Sequence, residues 1–321
     1  MRTGIAGTCI SHHSISEALQ DHYGDSVSII KKRAVYGGDI NRSYCLELSN
    51  GEKCFIKTNH MGMLGMFMAE ANGLAALGST DAIGVPQVFA AGKDRDAGCS
   101  FLLMEFLDQD SPVKHYWERF GRELAAMHRA LLVDPSLRVQ MKMNHPKGQS
   151  DKGAAIYGFF EDNYIGSTPQ KNDWRKSFID FYRDCRLVPQ MQMAKNKLGK
   201  TALEKLDKLI SRLDQFLTEP AFPSLLHGDL WSGNAVCGPD GKAWILDPAA
   251  YLGFYEADLA MTQLFGGFPS RFYEAYQEVN PINPGYADRR RIYDLYHMLN
   301  HLNLFGSGYA GSVRSILDFY V

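Results

Sequence analysis

The stretch His227 to Asp247, HGDLWSGNAVCGPDGKAWILD, carries three oxygen-bearing side chains at intervals that could serve one reaction: Asp229, Asn234 and Asp247. A carboxylate at Asp229 could orient a hydroxyl and take its proton. Asn234 and Asp247 could supply hard oxygen ligands to Mg²⁺. Together these are the parts needed for phosphoryl transfer. Taken singly, each would pass for a turn residue or the end of a strand.

The interval of one residue between His and Asp, then four between Asp and Asn, is the catalytic-loop pattern of protein kinases, with Gly228 where those enzymes carry Arg. Two short β-rich runs follow, 235–237 and 243–246, around a turn at Pro239, Asp240 and Gly241. A hairpin there would return Asp247 to the side of Asn234.

The elements that must position these groups begin upstream. Asn50 and Gly51 separate two β-rich runs, predicting strands near 43–48 and 53–58. Gly37 and Gly38 would stand at the mouth of that hairpin, where backbone amides can approach a phosphate, with Asp39, Asn41 and Ser43 adding side-chain contacts. Lys57 ends the second strand on the face of Phe55, opposite Cys54 and Ile56. A helix over 65–77 would place Phe67, Glu70, Leu74 and Leu77 on one stripe. A carboxylate on such a stripe needs a cation, and Lys57 is the nearest sensible one. Such a lysine and glutamate hold ATP phosphates in kinases.

A β segment beginning at 85–87 and an apolar strand over 100–107 complete the first part, and the polar break LDQDSP follows. The expected boundary divides residues 1–107, a β-rich ATP-binding lobe, from 108–321, a mainly helical lobe with the catalytic and substrate groups. Glu105, Phe106 and Leu107 form the hinge, whose backbone could bond an adenine edge. Beyond it, helices are expected over 117–131, with His128 as a packed core residue, and over 174–193, 201–217, 256–268 and from 270 and 287 onward. Interleaved aromatics, Tyr157, Phe159, Phe160 and Tyr164, argue that the polar stretch 145–172 is an ordered substrate loop and not disorder.

Composition narrows the classes. The chain has 321 residues, 45% hydrophobic, with 34 basic against 36 acidic side chains. A net charge of −2 recruits neither nucleic acid nor an anionic membrane. No stretch has the length of a signal peptide's apolar core or of a membrane span, so the expected location is the cytoplasm. The six cysteines show no ligand-like spacing and are expected to be reduced, with Cys45 reachable by oxidants. His12 and His13 are expected to be a solvated pair.

The chain resembles the fructosamine-3-kinase, or ketosamine kinase, family, relatives of aminoglycoside and choline phosphotransferases. The resemblance rests on GGDINRSY at 37–44, FIKTN at 55–59, GRELAAMHR at 121–129 and GFFEDNYIGSTPQKNDW at 158–174. It continues through LLHGDLWSGN at 225–234 and DPAAYLGFYEADLAMTQLFGGF at 247–268. It implies an α+β, two-lobed protein-kinase-like fold with a small antiparallel sheet and a larger helical lobe. The implied reaction is ATP-dependent, Mg²⁺-assisted phosphorylation of the sugar 3-hydroxyl of ketosamines formed on lysine or protein amines, a deglycation repair. Asp229 would then act on the hydroxyl, Asn234 and Asp247 on the metal, and Trp231 and Trp174 would be platforms for the sugar or its lysine stem. Pro248 after Asp247 departs from the Phe and Gly of protein kinases. The alternatives are a kinase for another hydroxylated amine, such as an aminoglycoside, choline or an amino acid, and a pseudokinase binding module. Oligomeric state is not legible.

Overall fold

A computed structural model describes residues 11–35, 40–137 and 156–321. A two-residue strand, Ser11–His12 (β1), precedes the helix Ile15–Tyr23 (α1) and the strands Ile29–Val35 (β2), Arg42–Leu48 (β3) and Lys53–His60 (β4). The helix Leu64–Gly78 (α2) then leads to the strands Val88–Asp94 (β5) and Cys99–Glu105 (β6). These strands form one sheet in the order β1-β5-β6-β4-β3-β2, antiparallel except where β1 runs beside β5.

The β3–β4 hairpin turns where Asn50 and Gly51 predict it. Gly51 has φ +87°, and the Asn50 side chain accepts the Glu52 N–H at 3.0 Å. The register pairs Ser43 with Lys57 and Cys45 with Phe55. Alternation along β4 sorts its residues as expected: Cys54 and Ile56 pack with Leu46, Leu48 and α1, whereas Phe55 joins Phe67 and Leu74 under α2. Lys57 therefore faces α2. Strand β5 starts at Val88, later than the expected 85–87, because Gly84 bridges instead to Trp244.

The rest of the chain is mostly helical: Tyr116–Val133 (α3), the small hairpin Asn163–Ile165 (β7) and Thr168–Gln170 (β8), then Phe178–Tyr182 (α4) and Val188–Ala194 (α5). A π segment, Arg183–Leu187, joins the last two. The predicted helix over 174–193 thus begins late, where the Ser177 hydroxyl accepts the Asp180 N–H. Lys200–Ser211 (α6) ends short of 217, and the strands Ser224–Leu226 (β9), Ala235–Cys237 (β10), Ala243–Ile245 (β11) and Tyr251–Gly253 (β12) follow. Four helices close the chain: Glu256–Leu264 (α7), Ser270–Val279 (α8), Tyr286–Phe305 (α9) and Ala310–Tyr320 (α10). Helices α3 and α8 pack so closely that a Cβ on Gly121 would lie 2.2 Å from the Phe272 carbonyl oxygen.

Two expectations fail on burial. Cys45 is fully buried among sheet residues, out of reach of oxidants. His12 is buried too, its Nδ1 3.4 Å from Asp21, because β1 tucks it against the sheet; His13 is exposed. Gly37, Gly38 and Asp39, with the first part of the 145–172 stretch, lie outside the described residues. In the remainder of that stretch, Tyr157, Phe159 and Phe160 are core residues. Among the described residues, no helix is long and apolar enough to cross a membrane.

Candidate active site

The segment between β9 and β10 is held from behind by a single carboxylate. Asp258, near the start of α7 and 1% exposed, accepts the backbone N–H groups of His227 at 2.7 Å and Gly228 at 2.8 Å. Its Oδ2 also lies 3.1 Å from His128 Nε2. Burial alone would raise the Asp258 pKa, but His128 and the backbone donors outweigh it and hold the carboxyl below its ordinary value. His128 is the buried core histidine expected, its other nitrogen 2.8 Å from the Tyr276 hydroxyl.

His227 is fixed as a neutral tautomer. Its Nδ1 accepts the Asp229 N–H at 3.2 Å, so the 2.7 Å contact from Nε2 to the Leu246 carbonyl is a donated bond. Burial pushes its pKa down, in keeping with that state. Gly228 has φ +82°, and a Cβ there would lie 2.2 Å from the Ala249 oxygen. Positive φ and this close approach exclude the Arg that protein kinases place here.

In front of this support stands Asp229, with its side chain 22% exposed to the cavity. Asn234 Nδ2 donates to the Asp229 carbonyl at 2.9 Å and approaches the carboxylate at 3.4 Å. Burial, followed by the like charges of Asp247 and Asp258, pushes the Asp229 carboxyl up to about 7. The β10–β11 hairpin closes as predicted: Leu246 N–H donates to the Asn234 carbonyl at 2.9 Å, which sets Asp247 beside Asn234. Asp247 itself sits at φ +55°, a left-handed conformation that Asp tolerates better than most residues.

Across the cavity, Lys57 and Glu70 meet as predicted. The ammonium lies 2.6 Å from Glu70 Oε1, and the two side chains are 7% and 11% exposed. Lys57 also bonds Asp247, a partner the sequence reading did not give it. Burial opposes the lysine's charge, but the two carboxylates reverse this and raise its pKa above the ordinary value. Burial pushes Glu70 up to about 7 against the pull of Lys57, with Asp247 adding like charge. The ammonium is thus locked on between two acids.

These five residues line one cavity of about 590 Å³, together with Asn41 and Ser43. Asn41 is steadied by Asn59, whose Nδ2 donates to it at 2.8 Å. The opposite wall is aromatic, with Trp231 6.1 Å from Phe265 and with Phe305 and Tyr309 beyond. Trp174 is not part of that lining; it packs against the core and backs Gly158. The expected hinge residues also stand outside the lining. Glu105 donates its N–H to the Gln87 carbonyl and accepts the Gln87 N–H on its carboxylate, which leaves Phe106 and Leu107 to offer backbone groups.

The NYIGSTPQ segment folds as the β7–β8 hairpin and is stitched to the chain just after Asp247. Asn163 Nδ2 donates to the Ala250 carbonyl at 2.8 Å, and Gln170 Nε2 to Ala249 at 3.1 Å. Arg186, fully buried, donates to the Lys171 carbonyl and the Asn172 side chain. This network carries Tyr164 and Gly166 into the cavity wall. The sequence reading missed Asp258, although the signal was the one that revealed Glu70: an acid on an apolar helical stripe, in YEADLAM. Among the described residues, no group of three or more His, Cys, Asp or Glu is arranged for a metal. Asn234 and Asp247 each bring a side-chain oxygen to the cavity, and two such oxygens fit a hydrated divalent cation that takes its remaining ligands from water and phosphate.

The fructosamine kinase family model matches residues 11–321. A chloroplastic protein-ribulosamine 3-kinase of Arabidopsis thaliana is 40% identical over 319 residues, covering 99% of this chain and 90% of that protein. A protein assigned as a ketoamine kinase in Synechocystis sp. is 38% identical over 305 residues, 95% of each chain. Among solved structures, one assigned as a fructosamine-3-kinase from Haemophilus somnus superposes with a TM-score of 0.79 at 29% identity, covering 95% of this chain and 96% of that one. The α+β architecture is the two-lobed protein-kinase-like one.

Proposed function

The chain belongs to the fructosamine kinase family, and from that premise we propose that it transfers the γ-phosphoryl group of ATP to the sugar 3-hydroxyl of a ketosamine. Asp229 orients that hydroxyl and takes its proton as the new P–O bond forms. Lys57, held by Glu70, engages the ATP phosphates, and Asn41 and Ser43 border them. The adenine would extend past the cavity lining to the backbone of Phe106 and Leu107, at a hinge between residues 1–107 and 108–321. Asn234 and Asp247 would hold Mg²⁺, which when bound neutralises charge spreading over the γ-phosphoryl oxygens. Trp231 lies on the acceptor side, two residues from Asp229, where its ring can cover a sugar or a lysine stem.

The observation that carries this reading is the convergence of Lys57, Glu70, Asp229, Asn234 and Asp247 on one cavity from distant parts of the chain. A binding module without turnover has no use for all five. The lining also weighs against a polycationic aminoglycoside. Its only acids among the described residues are Glu70, Asp229 and Asp247, each engaged by the lysine, the acceptor hydroxyl or the metal. The small net charge supports a reading without nucleic-acid or membrane partners, and a cytoplasmic location belongs to the same proposal.

The test is one ATP-consumption assay offered ribulosamine, erythrulosamine, fructosamine and aminoglycoside acceptors, with Mg²⁺ varied. Turnover confined to ketosamines supports the reading, and turnover confined to aminoglycosides overturns it. Asn234→Ala and Asp247→Ala should each raise the Mg²⁺ requirement. Excess Mg²⁺ should rescue Asn234→Ala better, since that variant loses a neutral ligand and not a charge.

A further inference from the structure

Helix α9 sets a buried histidine behind Asp229, just outside the cavity lining. His297, in the middle of that helix, has its side chain 5% exposed and its Nδ1 3.9 Å from Asp229 Oδ1. Among the described residues this nitrogen finds no hydrogen-bond partner. A buried polar atom left unpaired is costly, so it calls for an explanation. Asp229 from the catalytic loop is the charged group beside the ring, and Asp258 from α7, Arg186 from the π segment and His301 from its own helix act on it electrostatically. Burial first, then His301, pushes its pKa down to about 3, so the imidazole is neutral and carries one proton on one nitrogen.

Asp229 is short of donors on the same side. Asn234 stands near Oδ2 at 3.4 Å and spends its better bond on the backbone carbonyl. The group facing Oδ1 is His297. Closing 3.9 Å to hydrogen-bond distance takes about 1 Å of movement, within reach of a small rotation of two side chains. We propose that His297 is the positioning residue for Asp229, donating from Nδ1–H to Oδ1 so that Oδ2 is the oxygen presented to the acceptor hydroxyl. A neutral donor suits this task. It stabilises and aims the carboxylate without placing a cation beside the acceptor, and it transfers no proton itself. Misalignment of a reacting group by about 1 Å costs on the order of a hundredfold in rate.

The inference rests on the role given to Asp229 above, and two experiments separate its failure from that of the substrate reading. In the protein without nucleotide or acceptor, a ring ¹⁵N spectrum should place the His297 proton on Nδ1, and Asp229→Asn should move that nitrogen's shift. A proton on Nε2 overturns the proposal whatever the substrate proves to be. In steady-state kinetics, His297→Leu should lower kcat by about tenfold to a hundredfold with KM for ATP unchanged. His297→Asn, whose amide sits near the place of Nδ1, should recover kcat to within about threefold of the parent. Equal losses in both variants, or a kcat in His297→Leu within about twofold of the parent, would show that the histidine only fills space. Absence of phosphate transfer to any ketosamine by the parent enzyme would remove the substrate reading alone, since the spectrum needs no acceptor.

Discussion

Asp229 and Asp258 stand on the two sides of one loop and meet opposite fates. Asp258 is the more deeply buried, yet three donors satisfy it and keep its pKa low. Asp229 opens onto the cavity but has one weak side-chain donor and two acidic neighbours, and its carboxyl rises to about 7. Burial pushes both acids up, so burial depth alone does not separate them. What separates them is the set of partners: donors and His128 offset burial at Asp258, whereas like charges add to it at Asp229. The rear carboxylate is a structural anchor that fixes the loop, and the front one is left hungry for a proton, as a base for a hydroxyl requires. Pairs of acids whose environments drive their pKa values apart are a mark of acid–base sites.

The largest effect expected from breaking this contrast is on the front acid. Asp229→Asn should cost roughly two to four orders of magnitude in kcat with ATP affinity nearly unchanged, because the carboxylate addresses the acceptor and not the nucleotide. Single-turnover kinetics alongside nucleotide titration measure both. Retention of most of the turnover would take Asp229 out of the mechanism.

Next comes the ion cluster opposite. Lys57→Met leaves two acids facing each other without their cation, and breaking a buried pair from one side costs on the order of 3 to 5 kcal/mol. Adding Glu70→Gln should recover stability without recovering activity. Chemical denaturation of the four members of the cycle tests this, and simple additivity would mean that the 2.6 Å contact contributes no coupling.

The rear acid should report in stability before rate. Asp258→Asn puts an amide where the carboxylate received three donors, leaving a backbone N–H or His128 unpaired, at about 1 to 3 kcal/mol. A loss of thermal stability no larger than that of a surface substitution would remove its anchoring role.

The smallest effects are those of pH, and their signs differ between the two acids. Asp229 and Glu70 have folded-state values near 7, above the ordinary 3.8 and 4.5. The native state therefore binds more protons than the unfolded chain in that interval, and the stability they contribute at low pH is lost as pH rises toward 7. Asp258 works the other way, contributing above its ordinary value and losing that contribution as pH falls through its depressed one. Asp229→Asn should accordingly gain stability relative to the parent as pH rises from 5 to 8, read as a widening difference in melting temperature. The kcat/KM of the parent should fall on the acid side of about pH 7, where Asp229 takes up its proton. A flat acid limb through pH 6 would contradict the raised value.

Local chemistry made much of this protein legible before any fold was known. Asn50 and Gly51 determine the hairpin that carries Lys57, because their preference for a tight turn leaves the flanking residues one register. Helical periodicity placed Glu70 among apolar neighbours and so demanded a cation. The separation of Asn234 from Asp247 by two short β runs and a Gly-bearing turn determined that they return side by side. Each inference needs only near neighbours in the chain or one strong physical penalty.

What the tertiary structure alone decided involves atoms brought together from far apart. Lys57 shares its charge with Asp247, 190 positions away, because the sheet and the helical part close on one cavity. Trp174, a candidate sugar platform by resemblance, packs against the core instead, since an aromatic's face is set by the layer above it. Cys45 is buried by β2 and β4 on either side of its strand, which no count of cysteines reveals. The split between Asp229 and Asp258 depends on which backbone N–H groups point at which carboxylate. Sequence supplies both acids, and only the fold distributes the donors between them.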